Sequence, residues 1–362
     1  MKKRWAAAVG AVILSVAMLA GCAGAPASSM AQSVSGTASS SNAGASSQAA
    51  ASESAASTDS TAGEKGVIRM AGLKGPTTMG VVSLMKETEE GKARHDYQVE
   101  MYGAADEIAP KLIQGELDAA MIPCNLASVL YNKTGGKIQT AAINTLGVLY
   151  IVGTDDTVKS VADLKGKTLY ATGKGTTPEY ALNHILTENG LEPGVDVTIE
   201  YKAEATEVVS ALAAAGEGAL AMLPQPYVTT AQMQMDTLNV LLDLTEEWNK
   251  VSPDSALVTG VLVVQKDFAE QNPELMSDFL ADYQASVEWV NTNTAEAAGL
   301  IADYGIVPKA AVAEKALPQC NITFVSGAEM KQQVSGYLQV LMDADAASVG
   351  GALPGDDFYY GA

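Results

Sequence analysis

From Gly66 to about Leu244, short apolar runs typical of strands alternate with stretches whose apolar residues recur at helical spacing. "VIRMA" at 67–71 and "LDAAMIP" at 117–123 are two such strand segments, and each is followed by a segment with helical spacing. A chain that keeps alternating strand and helix favours mostly parallel sheets with helices on both faces. We therefore predict an α/β fold.

The strand-rich segments fall into two groups. One group ends before Thr145 and the other runs from about Gly147 to Leu244, so each is expected to form its own sheet. The chain should return to the first sheet near Val258, and everything after Asn272 is predicted to be helical.

The segment from Gly66 onward is long enough for one large core or two medium cores, and we expect two lobes. The predicted boundaries are 66–146 plus 258–345 for lobe 1, 147–257 for lobe 2 and 346–362 for a C-terminal tail.

The N-terminus has the three-part plan of a secretory signal, with basic residues at positions 2–4, an apolar run and small residues before Cys22. Leu19-Ala20-Gly21-Cys22 resembles a bacterial lipobox, which implies cleavage before Cys22 and lipid attachment to it. The alternative is an ordinary signal with an incidental cysteine. We expect residues 1–22 to be the signal peptide and the Ala/Ser-rich residues 23–65 to be a disordered tether. No later segment is long and apolar enough to span a membrane.

The formal net charge of −20 argues against nucleic acid or anionic lipid as the principal partner. The net charge does not exclude a small anionic ligand, because local hydrogen-bond donors decide binding at a site.

Two loops resemble each other about 100 residues apart, and we expect both to contact an oxygen-rich ligand. Lys74-Gly75-Pro76-Thr77-Thr78 and Lys174-Gly175-Thr176-Thr177-Pro178 each follow a strand and open a helix. Glycine permits close backbone approach, threonine offers a hydroxyl, and a helix N-terminus presents unpaired N–H groups. The alternative is helix capping alone, for example by Thr176 with Glu179.

Three other positions follow strands. In "MLPQPYV" at 222–228, Gln225 offers a donor and an acceptor and Tyr227 a flat ring, although a plain tight turn explains the segment equally well. Asn125 is placed as the N-cap of a helix that stops at Gly135.

Motifs for catalysis or metal binding are missing from the sequence. "GKT" at 166–168 has no glycine at the position that a phosphate loop requires, and His95 and His184 are expected to be surface or packing residues. We predict no enzyme activity, no metal and no cofactor. Cys124 and Cys320 are the cysteines left after Cys22, and spacing alone leaves their pairing as a disulfide open.

Three segments resemble the solute-binding lipoproteins of ABC importers, of the nitrate/sulfonate/taurine type, whose relatives also bind thiamine-pyrimidine precursors. They are "IQGELDAAMIPCNLASVLYNK", "VADLKGKTLYATGKGTTPEYAL" and "PELMSDFLADYQ". The resemblance implies a two-lobed type II periplasmic-binding-protein fold with two crossover hinges. The ligand contacts that it implies are Pro76, Thr77, Cys124, Asn125, Leu146, Thr176, Thr177 and Gln225.

The resemblance also implies the function. The protein would capture a small solute between its lobes, a sulfonate- or nitrate-like anion or a pyrimidine-type heterocycle, and deliver it to an ABC importer permease. We expect a monomer held at the outer face of the cell membrane by its lipid alone. Two alternatives remain: an enzyme on the same scaffold, similar to a pyrimidine-precursor synthase, and a surface signalling or adhesion lipoprotein.

Overall fold

The computed structural model of this protein describes residues 65–154 and 156–362. The strands are β1 Val67–Leu73, β2 Asp96–Tyr102, β3 Ala119–Pro123, β4 Ile138–Thr145, β5 Leu149–Gly153, β6 Thr168–Ala171, β7 Thr198–Tyr201, β8 Leu220–Pro224, β9 Asn239–Asp243, β10 Gly260–Gln265 and β11 Ile322–Val325.

The α-helices are α1 Pro76–Met79, α2 Val82–Glu89, α3 Ala105–Gln114, α4 Cys124–Thr134, α5 Thr177–Glu188, α6 Ala205–Ala215, α7 Tyr227–Gln232, α8 Leu244–Val251, α9 Lys266–Gln271, α10 Pro273–Thr292, α11 Thr294–Asp303, α12 Ala310–Ala316 and α13 Gly327–Ala344. None of the described helices is long and apolar enough to cross a membrane. The predicted signal peptide, Cys22 and nearly all of the predicted tether lie outside the described residues.

The strands form two sheets, as the sequence predicts. The first has the order β11-β4-β10-β3-β1-β2 and the second the order β7-β6-β8-β5-β9. The mixed α/β fold with two sheets is thereby confirmed. The lobe boundaries given above stay a prediction.

The expectation of mostly parallel sheets is wrong. In the first sheet β1 pairs in parallel with β2 and β3, but β10 is antiparallel to both β3 and β4, and β11 is antiparallel to β4. In the second sheet β5 is antiparallel to β8 and β9. For β5 and β10 the reason is the way the chain changes sheets. Each follows directly on a crossing and starts at the end of the sheet where its neighbours finish, so it runs antiparallel to them.

The two crossings lie side by side. One joins β4 to β5 through residues 146–148, and the other leads into β10 through residues 257–259. The backbone N–H of Thr259 donates to the carbonyl of Thr145 (3.1 Å), and that of Cys124 donates to the carbonyl of Thr259 (3.2 Å). These bonds tie the second crossing to the end of β4, where the first crossing begins, and to the start of α4.

Two expectations for the C-terminal part need correction. The chain after Asn272 is not entirely helical, because β11 pairs at the edge of the first sheet beside β4. Residues 346–362, predicted to be a tail, pack against the body. We call residues 345–362 the C-terminal strap.

The strap is held by hydrogen bonds to α4 and by its own aromatic residues. Ser128 Oγ and Asn132 Nδ2 donate to the carbonyl of Val349 (2.7 and 2.9 Å). Phe358 is fully buried against the ring of Tyr131, with ring centroids 5.3 Å apart. The strap therefore contributes to the core beside the first sheet.

We predict that Phe358→Ala lowers the free energy of unfolding by about 3–5 kcal/mol, because it removes a buried aromatic side chain and leaves a cavity. Urea unfolding measures the change. Leu353→Ala is the control in the same strap, because Leu353 is 39% exposed, and it should change the free energy by less than about 0.5 kcal/mol. Equal, small effects of both variants would show that the strap is not part of the folded core.

Candidate functional site

The main cavity lies where the ends of strands from the two sheets come together, and its volume is about 780 Å³. Its walls are the loops that follow β1 and β6, the flanking helices α3 and α4, and the starts of β5 and α5. Of the predicted site residues, the cavity brings together Pro76, Thr77, Asn125, Thr176 and Thr177.

The loop after β1 has a backbone conformation that requires glycine at position 75. Gly75 has φ 155° and ψ −169°, a conformation that residues with a Cβ rarely adopt. The loop opens only the four-residue helix α1, and a second helix, α2, starts at Val82. Thr77 is buried, and its carbonyl accepts a hydrogen bond from Asn144 Nδ2 (3.1 Å). This bond fixes the loop to β4.

The loop after β6 is organised in a similar way. Gly175 has φ 74°, and its N–H donates to the Glu179 carboxylate. Thr176 is the N-cap of α5, but its hydroxyl donates to the carbonyl of Gly173 (2.6 Å) instead of capping the helix. Thr176 and Glu179 therefore do not form the predicted capping box. The Glu179 carboxylate accepts a hydrogen bond from Gly175, the residue before the N-cap. Thr177, the first residue of α5, lies in the cavity wall.

Asn125 connects three parts of the site. The structure corrects its predicted role as N-cap, because α4 already begins at Cys124 with Pro123 in the capping position. Asn125 therefore lies within the first turn. Its Oδ1 accepts a hydrogen bond from Thr177 Oγ1 (3.5 Å), and its Nδ2 donates to the carbonyl of Ser348 in the strap (3.3 Å). Gly135 ends α4 in a left-handed conformation, as predicted.

Four of the predicted ligand contacts lie outside the cavity lining. Cys124 is buried in the core, and Leu146 packs against that core beside the crossing. Gln225 is buried, donates to Gln319 and accepts from Thr229 Oγ1 (2.9 Å). Tyr227 begins α7 and is 37% exposed. Their roles as ligand contacts stay predictions.

Cys124 and Cys320 are both free and buried, so no disulfide joins them in this structure. They belong to different hydrophobic clusters, which keeps the two sulfurs apart. Burial raises the pKa of both thiols, that of Cys320 to about 12, so both are protonated at neutral pH.

Tyr337 of α13 is a buried residue that the sequence analysis missed. It is fully buried, and its hydroxyl has no hydrogen-bond partner among the described residues. Burial raises the pKa of its phenol. Tyr337 belongs to the same buried cluster as Cys124, the first residue of α4.

The sequence analysis also missed the apolar walls, which five prolines and several aliphatic side chains provide. These residues are Leu73, Pro76, Ala105, Ala109, Pro110, Ile113, Pro123, Leu126, Leu130, Val148, Leu149, Pro178 and Pro224. The spacing of Ala105, Ala109 and Ile113 along one helical stripe was a signal in the sequence that could have indicated them.

The charged residues of the lining are Lys74, Lys133 and Asp106. Neither lysine has a carboxylate partner within 4 Å in the described part of the chain. The described residues contain no cluster of three or more His, Cys, Asp or Glu that could hold a metal ion.

Comparison with known proteins agrees with this geometry. The model of the NMT1/THI5-like family matches residues 140–297. An ABC transporter structure from Parabacteroides distasonis is 25% identical, with a TM-score of 0.68, and the match covers 81% of this chain and 98% of that one. This chain has the fold of a solute-binding protein.

Two further structures share the solute-binding fold. The periplasmic aliphatic sulphonate-binding protein SsuA from Escherichia coli is 18% identical over 82% of this chain and 96% of its own, with a TM-score of 0.64. The periplasmic nitrate-binding protein NrtA from Synechocystis PCC 6803 is 16% identical over 81% and 83%, with a TM-score of 0.52. A search of curated proteins found no match.

We predict that Gly260→Ala perturbs the site of this solute-binding fold. A Cβ at Gly260 would lie 2.5 Å from Thr77 Cγ2 and 2.6 Å from Asn144 Oδ1, so the wall around Thr77 must shift. Thermal or urea unfolding should show a loss of about 1–3 kcal/mol.

Gly299→Ala is the matched control, since Gly299 lies within α11 and a Cβ there would meet nothing within 4 Å. It should be neutral or stabilising by up to about 1 kcal/mol. If the two variants have equal stability, the close packing between Gly260 and Thr77 does not constrain the site.

Proposed function

We propose that this protein is an extracytoplasmic solute-binding lipoprotein that captures a small anionic solute between two lobes and delivers it to an ABC importer. The observation that carries the proposal is the charge of the cavity. Its lining holds one aspartate and two lysines that have no carboxylate partner among residues 65–154 and 156–362, in a chain with a formal net charge of −20. A local excess of cations in an acidic protein attracts an anion.

The loops place polar groups on both sides of the cavity. Thr77 lies on one side, Thr176 and Thr177 on the other, and Asn125 between them, and an anion would replace some of the hydrogen bonds that Thr176, Thr177 and Asn125 make in this structure. A micromolar dissociation constant corresponds to about −8.2 kcal/mol, which exceeds the roughly 0.3–2 kcal/mol that one helix terminus offers. Several contacts must therefore act together. The sulphonate-binding and nitrate-binding proteins that share this fold support an oxyanion as cargo.

Closure would come from rotation about the paired crossings. Thr177 contacts Asn125 across the cavity, and Tyr180 of α5 donates to the Asp345 carboxylate (3.0 Å). Both contacts join α5, beside the second sheet, to elements that pack on the first. Separation of the lobes would break them, and a bound ligand would favour the closed form that the importer recognises.

The proposal includes a lipid anchor at Cys22 and a tether over residues 23–65. The lipobox-like sequence and the Ala/Ser-rich composition support them. As a flexible coil the tether would have a root-mean-square reach of roughly 35 Å, enough for the binding protein to reorient beside its permease.

We predict that purified full-length protein, unfolded and refolded to remove co-purified ligand, is stabilised by at least one member of a panel of sulfonates, nitrate, thiamine precursors, purines and amino acids. An anion at 100 times its dissociation constant should add about 2.7 kcal/mol of stability, seen as a higher melting temperature.

Lys74→Met should weaken binding of that anion about tenfold, because it removes an unpaired cation from the lining. Lys86→Met is the control, since Lys86 is an exposed lysine of α2 outside the lining, and it should change affinity less than twofold. Equal affinities in both variants, or stabilisation by uncharged compounds only, would contradict anion capture. Turnover of a bound compound would instead favour the enzyme alternative.

The anchor is tested separately. In a bacterial host the full chain should fractionate with membranes, and Cys22→Ser should release it, because the thiol that carries the lipid is lost. An unchanged membrane fraction for Cys22→Ser would contradict lipidation at this position.

A further inference from the structure

A second crevice, with a volume of about 320 Å³, lies between helices α7 and α12, outside the main cavity. Helix α7 packs on the second sheet through Val228 and Ala231, and helix α12 packs on the first sheet through Val312 and Ala316. The two helices also contact each other. We call this space the α7–α12 crevice. The described residues that line it are Thr229, Gln232, Met233, Asp236, Lys315 and Gln319.

The α7–α12 crevice and the main cavity lie on opposite sides of strand β5. Leu149 lines the main cavity, whereas the hydroxyl of the next residue, Tyr150, donates to the carbonyl of Gln319 in the crevice wall (2.8 Å). This alternation is expected, because successive side chains of a strand point to opposite faces. The side chain of Gln319 also accepts a hydrogen bond from Gln225 Nε2. Both bonds hold Gln319, and with it one wall of the crevice, against the second sheet.

The lining of the crevice differs in character from that of the main cavity. Apart from Met233, the residues that line it are polar or charged. The walls of the main cavity are mostly aliphatic and proline side chains. Burial of apolar area can therefore contribute little to binding in the crevice, and a ligand there must be held by charges and hydrogen bonds.

The crevice presents one charge of each sign. Asp236 lies in the turn after α7, and Lys315 lies near the end of α12. Neither side chain forms an ion pair within 4 Å with any of residues 65–154 or 156–362, so the two do not pair with each other. A simple anion or cation would be attracted by one of these charges and repelled by the other, whereas a molecule with both charges can satisfy both.

We propose that the α7–α12 crevice is a second binding site, for a small zwitterion that carries one ammonium and one carboxylate. The carboxylate contacts Lys315 and the ammonium contacts Asp236, while the amides of Gln232 and Gln319 offer hydrogen bonds to either end. The bound molecule joins a helix on the first sheet to a helix on the second. This site is separate from the main cavity, and it does not depend on the solute proposed there.

The test uses nuclear magnetic resonance of the full-length protein with isotope-labelled methionine methyl groups. Met233 lines the crevice and is 46% exposed, so its methyl signal reports a molecule bound there. Met121 is fully buried in β3 and serves as the internal control. Glycine and γ-aminobutyrate are the probes. At least one should shift the Met233 signal in a saturable way and leave the Met121 signal unchanged. Met233→Leu assigns the signal.

Butyrate and butylamine each carry one of the two charges of γ-aminobutyrate. Each should bind about fivefold more weakly than γ-aminobutyrate, because it forms one exposed ion pair instead of two. Equal affinities of the three compounds would show that the site does not recognise a zwitterion.

Two variants assign the charges. Asp236→Asn should weaken binding of γ-aminobutyrate and butylamine but not of butyrate, and Lys315→Met should weaken γ-aminobutyrate and butyrate but not butylamine. Both side chains are exposed, so neither change removes a buried group. Asp303→Asn and Lys309→Met are the matched controls, since they remove the same charges from exposed positions outside the lining, and they should change affinity less than twofold.

Two results would overturn the crevice as a binding site. One is a Met233 signal that neither glycine nor γ-aminobutyrate shifts. The other is a shift that Asp236→Asn and Lys315→Met leave as it is in the wild type. Anion capture in the main cavity stands in both cases, because its lining shares no residue with the crevice.

Discussion

The architecture depends on the backbone hydrogen bonds that hold the second chain crossing against the end of β4, where the first crossing begins. Thr259 pairs with Thr145 and with Cys124 through backbone groups, so the second crossing, the end of β4 and the start of α4 share one network. Backbone bonds in a buried region are costly to leave unmade, which fixes the position of the crossings. The directions of β5 and β10 follow from this arrangement, and so does the convergence of the strand ends at one cavity.

The site combines an apolar cavity with a few polar groups held by backbone geometry. Gly75 and Gly175 give the two loops conformations that other residues rarely adopt. Asn144 holds the first loop, while Thr177 and the strap hold Asn125. Preorganised polar groups at one end of an apolar pocket provide orientation, and the apolar area provides much of the binding free energy.

The sequence allowed the fold class, the division into two sheets and five residues of the cavity to be predicted, because strand and helix periods and glycine-threonine loops are local signals. Strand direction was missed, since it depends on where the chain changes sheets. The strap was mistaken for a tail because Phe358 is buried against residues far away in the sequence, among them Tyr131, more than 200 residues earlier in the chain. The burial of Gln225 and Cys124 was equally hard to infer, because burial is a property of the packed molecule.

Ala109 and Ile113 of helix α3 line the cavity, whereas the contacts across the cavity come from α5, Asn125 and the strap. Substitutions at Ala109 or Ile113 therefore alter the shape of the cavity without changing the residues that join its two sides. The shape of the cavity and the contacts that join its two sides can therefore vary independently of each other.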